Sequence, residues 1–192
     1  MAMRNSCVLS GPNGYLRFWC FQGDENRANF NAKFFTSFSP INTCEIRELW
    51  VGGNTEFHFG TGLNYWEQNT ARVRGAFGVL TKVEDLTVVR SELEPFFAAL
   101  CPTTDGPILL PGLRRLTLYV RRGDLNISAL TQCAETRFER SRSLGEVTIV
   151  FENEPEADEI REVESLGRFV GKLSHHIGGV PDMRWEIQCD VW

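Results

Sequence analysis

Ile46-Arg47-Glu48-Leu49-Trp50-Val51-Gly52-Gly53-Asn54 is the stretch on which the reading of the fold turns. Apolar residues stand at its first, fourth and sixth positions and asparagine at its ninth. That is L-x-x-L-x-L-x-x-N, the strand motif of leucine-rich repeats. The apolar spacing returns at Val83, Leu86 and Val88, at Leu113, Leu116 and Leu118, and at Leu144, Val147 and Ile149. A weaker fifth copy falls on Val180, Met183 and Trp185. The intervals between copies are 37, 30, 31 and 36 residues. Regular leucine-rich repeats run roughly 20 to 29 residues. Ser91, Arg121 and Glu152 stand at the ninth position of the second to fourth copies, so an asparagine ladder is largely missing.

Between the copies the apolar spacing turns helical. Trp66, Val73, Phe77 and Leu80 fall near one helical face, and Glu92 to Leu100 forms a short apolar segment stopped by Pro102. Asn126 is a candidate N-cap followed by Ile127, Leu130, Ala134 and Phe138. Ile160, Val163, Leu166, Val170 and Leu173 predict an amphipathic helix ending near Gly178-Gly179 and Pro181. Strand and helix in alternation give a parallel sheet. The expected class is therefore α/β: an irregular leucine-rich-repeat-like solenoid, a curved parallel sheet with helices on one side. One domain, residues 1–192, accounts for the chain, because no loop is long enough to separate two. Residues 1–40 fit least well and read as a degraded repeat. In them Tyr15 to Cys20 alternates like a strand, and Phe30, Phe34 and Phe38 recur every fourth residue.

Composition narrows the function. Of 192 residues, 42% are hydrophobic and 23% charged, an ordinary globular balance, with 14 Phe and 5 Trp to fill a core. The net charge of −5 repels phosphate backbones, so no nucleic-acid partner is expected. Arg114, Arg115, Arg121 and Arg122 are the only dense basic patch. Met1 to Leu9 is too short and polar for a signal peptide, and no stretch approaches the ~20 apolar residues of a membrane span. These features predict a cytoplasmic or nuclear protein without a membrane partner.

No chemical motif stands out. Cys7, Cys20, Cys44, Cys101, Cys133 and Cys189 are widely spaced with no C-x-x-C, so they read as small buried hydrophobes, and neither metal nor cofactor is expected. No G-x-S-x-G, P-loop or H-E-x-x-H occurs, and no catalytic residue is assigned. His175-His176 reads as a helix C-terminus, where positive charge suits the dipole. Gly52, Gly53, Gly60 and Gly62 read as a turn, not a phosphate cradle. Seven acids between Glu152 and Glu164 read as a solvated loop entering a helix N-terminus.

The strands carry the sharper signal. With the first, fourth and sixth positions facing the core, the third, fifth and seventh face away. Stacked in parallel, the fifth positions align Trp50, Thr87, Thr117 and Thr148. Val89, Tyr119 and Val150 form an apolar lane beside them, and Glu48, Asp85, Arg115 and Glu146 a mixed-charge row. Strand propensity alone favours Thr, Val and Tyr at such places. The functional alternative is a concave binding face built from Trp50, Thr87, Val89, Arg115, Thr117, Tyr119 and Thr148, with Trp50 and Tyr119 as anchors.

The phrases IRELWVGGN, VEDLTVVRSELEPFFAALCP, LPGLRRLTLYVRRGDLNISAL and RSLGEVTIVF, in that order, resemble the C-terminal half of a fungal family of F-box proteins with leucine-rich-repeat-like regions. The resemblance runs from about Gly11 to the C-terminus. It implies a fungal source and a module that holds the substrate of a ubiquitin ligase. The F-box that docks such proteins on the ligase adaptor would open with a Leu-Pro-x-Glu-Leu-type helix, and the sequence shows none. Adaptor binding by this chain is therefore not expected. The expected function is non-catalytic binding of a protein partner on the concave sheet face. The alternatives are a truncated structural remnant and a small hydrolase.

Overall fold

The computed structural model describes residues 4–11, 14–21, 46–52, 74–75, 77–89, 93–101, 106–121, 123 and 125–179. It is an α/β arrangement around one seven-stranded sheet. The strands are β1 (Arg4–Gly11), β2 (Gly14–Phe21), β3 (Glu48–Gly52), β4 (Asp85–Val89), β5 (Arg115–Val120), β6 (Leu144–Phe151) and β7 (Val170–Ile177). The order across the sheet is β2-β1-β3-β4-β5-β6-β7. Strands β3 to β7 run parallel, while β1 lies antiparallel to both β2 and β3.

The motif spacing predicts the register of β3 to β6. Leu49, Leu86, Leu116 and Val147 are neighbours across the sheet, as are Val51, Val88, Leu118 and Ile149. Among the described residues, helices follow β4, β5 and β6: α1 (Leu93–Leu100), α2 (Ile127–Glu139) and α3 (Ala157–Ser165), the last continued by a 3-10 turn over Leu166–Arg168; residues 74–75 and 77–79, before β4, are helical too. One cluster joins the leucine rows to Phe97 and Leu100 of α1, Leu130, Cys133 and Ala134 of α2, and Val163 and Leu166 near α3. The helices thus cover one face of the sheet. Leu116 is 1% exposed and Leu130 0%, so the central strand is sealed beneath α2.

Backbone bonds do part of what an asparagine ladder does elsewhere. The N–H groups of Glu84 and Asp85 donate to the Arg47 carbonyl, at 2.7 and 3.1 Å. Those of Arg114 and Arg115 donate to Glu84 (2.8 and 3.0 Å), and that of Glu146 to Arg114 (2.8 Å). At the strand exits Glu152 donates to Val120 and Gly178 to Phe151, both at 2.9 Å. At these strand ends the neighbouring backbone supplies the partner, so these groups need no side chain.

The helix starts follow the expected caps. Asn126 Oδ1 accepts from the Ala129 N–H at 3.0 Å, which satisfies one of the four open donors of α2. The acidic run places Glu159 in the first turn of α3, where its carboxylate accepts from the Glu156 N–H at 3.3 Å and the Gly123 N–H at 3.3 Å. This joins α3 to the turn after β5.

Four expectations are corrected. The helix from Ile160 stops at Ser165, and Val170 and Leu173 belong to β7, paired with Leu144 and Val147. Spacings of three and four serve a helix, but Val170 and Leu173 also match the first and fourth positions of the strand motif. Gly171 favours the strand reading: a Cβ there would lie 2.7 Å from the Gly145 carbonyl oxygen, so the two backbones approach as only glycine allows. His175 and His176 consequently lie on β7, not at a helix end. On α2 the buried face is Ile127, Leu130, Cys133, Ala134 and Arg137, whereas Phe138 is 53% exposed. Tyr15 to Cys20, read as the strand of a degraded strand-helix repeat, lies within β2, which pairs antiparallel with β1, a strand that the sequence pattern does not mark. Phe30, Phe34, Phe38, Trp66, Val73 and the weak copy at Val180, Met183 and Trp185 lie outside the described residues.

No helix among the described residues is long and apolar enough to cross a membrane.

Candidate binding face of the sheet

The side chains that alternate away from the helices form three rows across the parallel strands. The third positions align Glu48, Asp85, Arg115, Glu146 and Lys172. The fifth align Trp50, Thr87, Thr117, Thr148 and Ser174, and the seventh align Gly52, Val89, Tyr119, Val150 and His176. Parallel in-register pairing is the cause, because each strand repeats the phase of the one before.

The charged row is largely neutralised within itself. Arg115 donates through Nε and Nη2 to both carboxylate oxygens of Asp85, a bidentate pair. The bond to Asp85 and its charge, with Glu146 and Glu48 nearby, raise the Arg115 pKa above its ordinary value. Lys172 bonds Glu146, and the Glu48 carboxylate accepts from Trp50 Nε1 at 2.5 Å. Arg121, just beyond β5, pairs with Glu152 at 3.5 Å. In the second row the hydroxyls of Thr148 and Ser174 lie 3.0 Å apart and share a hydrogen bond.

Accessibility divides the expected site residues. Arg115 is exposed, and Trp50, Thr117, Tyr119 and Thr148 are half-buried. Thr87 and Val89 are buried, at 7% and 3% exposure. The surface a partner can touch is therefore Trp50 on β3, Arg115, Thr117 and Tyr119 on β5, and Thr148 on β6, with Thr87 and Val89 as their support. The sequence reading missed the fifth strand's contribution of Lys172, Ser174 and His176. The signal was present in Val170-x-x-Leu173, which repeats the first and fourth motif positions.

On the other side of the sheet Arg137 is an unexpected core residue, with 0% exposure. Its Nη1 and Nη2 donate to the carbonyls of Leu109 and Leu110 at 2.9 and 3.0 Å, while Nε has no partner. Arg140 Nη1 reaches the Gly106 carbonyl at 3.0 Å. Together they clamp the loop before β5, in which Leu110 takes a left-handed φ of 46°. Burial lowers the Arg137 pKa. Burial also pushes the neighbouring Cys133 thiol up to about 12, which makes it a packing group and not a nucleophile. Among the described residues no group of three or more His, Cys, Asp or Glu is placed to hold a metal ion.

No protein-family model matches the chain, and neither the characterised proteins nor the solved structures searched gave a match. The class the geometry defines is an α/β fold with a five-stranded parallel sheet, helices on one face and an ordered polar and aromatic array on the other.

Proposed function

We propose that this chain is a non-catalytic protein-binding module: an irregular leucine-rich-repeat-like solenoid whose concave sheet face docks a protein partner. The proposed setting is the cytoplasm or nucleus, in a role like that of the substrate-recognition half of an F-box ubiquitin-ligase subunit. The observation that carries the reading is the in-register array. Its charges are largely paired with one another, and its accessible centre is Trp50, Thr117, Tyr119 and Thr148. A partner covering such a face displaces little strongly bound water from isolated charges, and it meets the aromatic groups that dominate binding energy. The mixed signs of the row, Asp85 and Glu146 against Arg115 and Lys172, would set the partner's orientation.

The test is affinity capture from the native cell, followed by titration of the recovered partner against variants. Trp50→Ala and Tyr119→Ala should each weaken binding by about 2 kcal/mol or more, roughly thirtyfold. Melting temperatures should stay close to that of the unaltered chain. Glu135→Ala, on the exposed side of α2, should bind as the unaltered chain does. Unchanged affinity in both aromatic variants would refute the reading. So would tight binding of the isolated chain to a ubiquitin-ligase adaptor, since the module proposed here makes no such contact.

A further inference from the structure

Of the three carboxylates in the charged row, two are answered by cations of the same row. Both oxygens of Asp85 accept from Arg115, and Glu146 accepts from Lys172. Glu48 instead accepts through Oε1 from the indole Nε1–H of Trp50, a neutral donor. That bond uses one lone pair and leaves the negative charge in place. Among the described residues no cation pairs with Glu48. The row Glu48, Asp85, Arg115, Glu146 and Lys172 therefore holds three negative charges against two positive ones, and the surplus stands at the β3 end.

Local geometry suits this carboxylate to a cation. Glu48 is half-buried, so part of its hydration is already lost and a cation meeting it has less water to displace. The indole bond holds the carboxylate in one orientation, so an incoming group orders little that is not ordered already. Asp85 lies one strand away, and its two oxygens are both engaged by Arg115, so it competes weakly for the same cation. An anion in this place would face Glu48 and Asp85 together, whereas a cation restores neutrality to the row.

We propose that the Glu48 carboxylate receives a basic side chain of the protein partner, an arginine or a lysine, and so fixes which end of the partner lies over β3. The proposal rests on the reading of this face as the docking surface and adds the partner's chemistry to it. Arg115 and Lys172 are already bonded within the row, so they call for no matching anion. The cation on Glu48 is thus the charge that the partner must bring. Its place beside Trp50 sets it next to the aromatic anchor, so charge and apolar contact fall together at one end of the interface.

Titration of the full chain with the peptide acetyl-Gly-Arg-Gly-amide, followed by NMR at the Trp50 indole N–H, tests it. That signal should move saturably, and less as salt is raised. The neutral peptide acetyl-Gly-Gln-Gly-amide should leave it in place. Glu48→Gln keeps an oxygen for the indole and should weaken the arginine peptide about tenfold, the loss of one charged hydrogen bond. The β4 to β6 signals report that this variant is folded. Glu135→Gln, on the exposed side of α2, should respond as the unaltered chain does. So should Arg17→Gln, at the register position opposite Val8 on β2. An indole signal unmoved by the arginine peptide would overturn the proposal. Equal movement by both peptides, or a full response in Glu48→Gln, would do the same. A stronger response in Arg17→Gln would give Glu48 an internal cation and overturn it too. None of these outcomes bears on the docking face itself, which stands or falls on the partner affinities of Trp50→Ala and Tyr119→Ala.

Discussion

The two faces of the parallel sheet are made by the same residues in alternation, yet they obey different physics. On the helix side Leu86, Leu116 and Val147 stand side by side, each 1% exposed or less, with no polar atom among them. On the other side the third and fifth positions are charged, hydroxylated or aromatic, the seventh adds Val89, Tyr119 and Val150, and several of the polar groups bond to the next strand. The first face gains its free energy from area removed from water, at about 25 cal/mol per Å². The second contributes less: Val89 and Val150 are buried there, but the rest of the face is polar, and exposed ion pairs are worth about 0 to 1 kcal/mol. Stability is thus concentrated on one face, which leaves the other free to be specified by contact with something else.

The comparison can be broken most directly at Leu116. Leu116→Ala should cost about 2 to 5 kcal/mol in denaturant melts, the usual loss for a large-to-small change in a sealed core. A loss near zero would mean that the helix-side row is not the stabilising face. Next in size comes Arg137, the polar exception on that side. Arg137→Ala removes the guanidinium donors from the carbonyls of Leu109 and Leu110, the second of which keeps the Leu113 N–H, and should cost about 1 to 3 kcal/mol. Faster exchange in residues 106–112 should accompany the loss. Retained exchange rates there would show that the clamp is not what holds the loop.

Smaller effects sharpen the contrast. Asn126→Ala should cost about 1 kcal/mol by removing the α2 cap, and Asn126→Ser should restore most of it. Arg115→Ala, on the charged row, should cost less than about 1 kcal/mol, and the difference should shrink as salt is raised. A large, salt-independent loss at Arg115 would make the second face structural and remove the contrast between the two.

The four motif copies beginning at Ile46, Val83, Leu113 and Leu144 were the most legible part of the chain, because there the local pattern and the packing agree. The L-x-x-L-x-L spacing fixes both the strand and its phase, and four strands of equal phase can stack in register. The expected site residues came out as neighbours for the same reason: Trp50, Thr87, Thr117 and Thr148 form one row. Where two periods overlap, the sequence misleads. Val170 and Leu173 fit the helix that begins at Ala157 and the strand that pairs with β6, and only the pairing chooses between them. On α2 apolarity points to Phe138, but Arg137 follows Leu130, Cys133 and Ala134 at spacings of seven, four and three. It occupies the inner stripe because two loop carbonyls await it there.

The amino-acid sequence by itself determined the class, the four strands from Glu48 to Phe151, their common phase and the cap of α2, since alternation, helical spacing and capping are local properties. The tertiary structure alone decided the rest. It turned Val170–Ile177 into a fifth parallel strand, set β1 and β2 antiparallel at the other end of the sheet, buried a guanidinium, and withdrew Thr87 and Val89 from the surface. Each of these depends on partners distant in sequence. The hydrogen bonds, close backbone approach and water exclusion they bring exist only once the chain has folded.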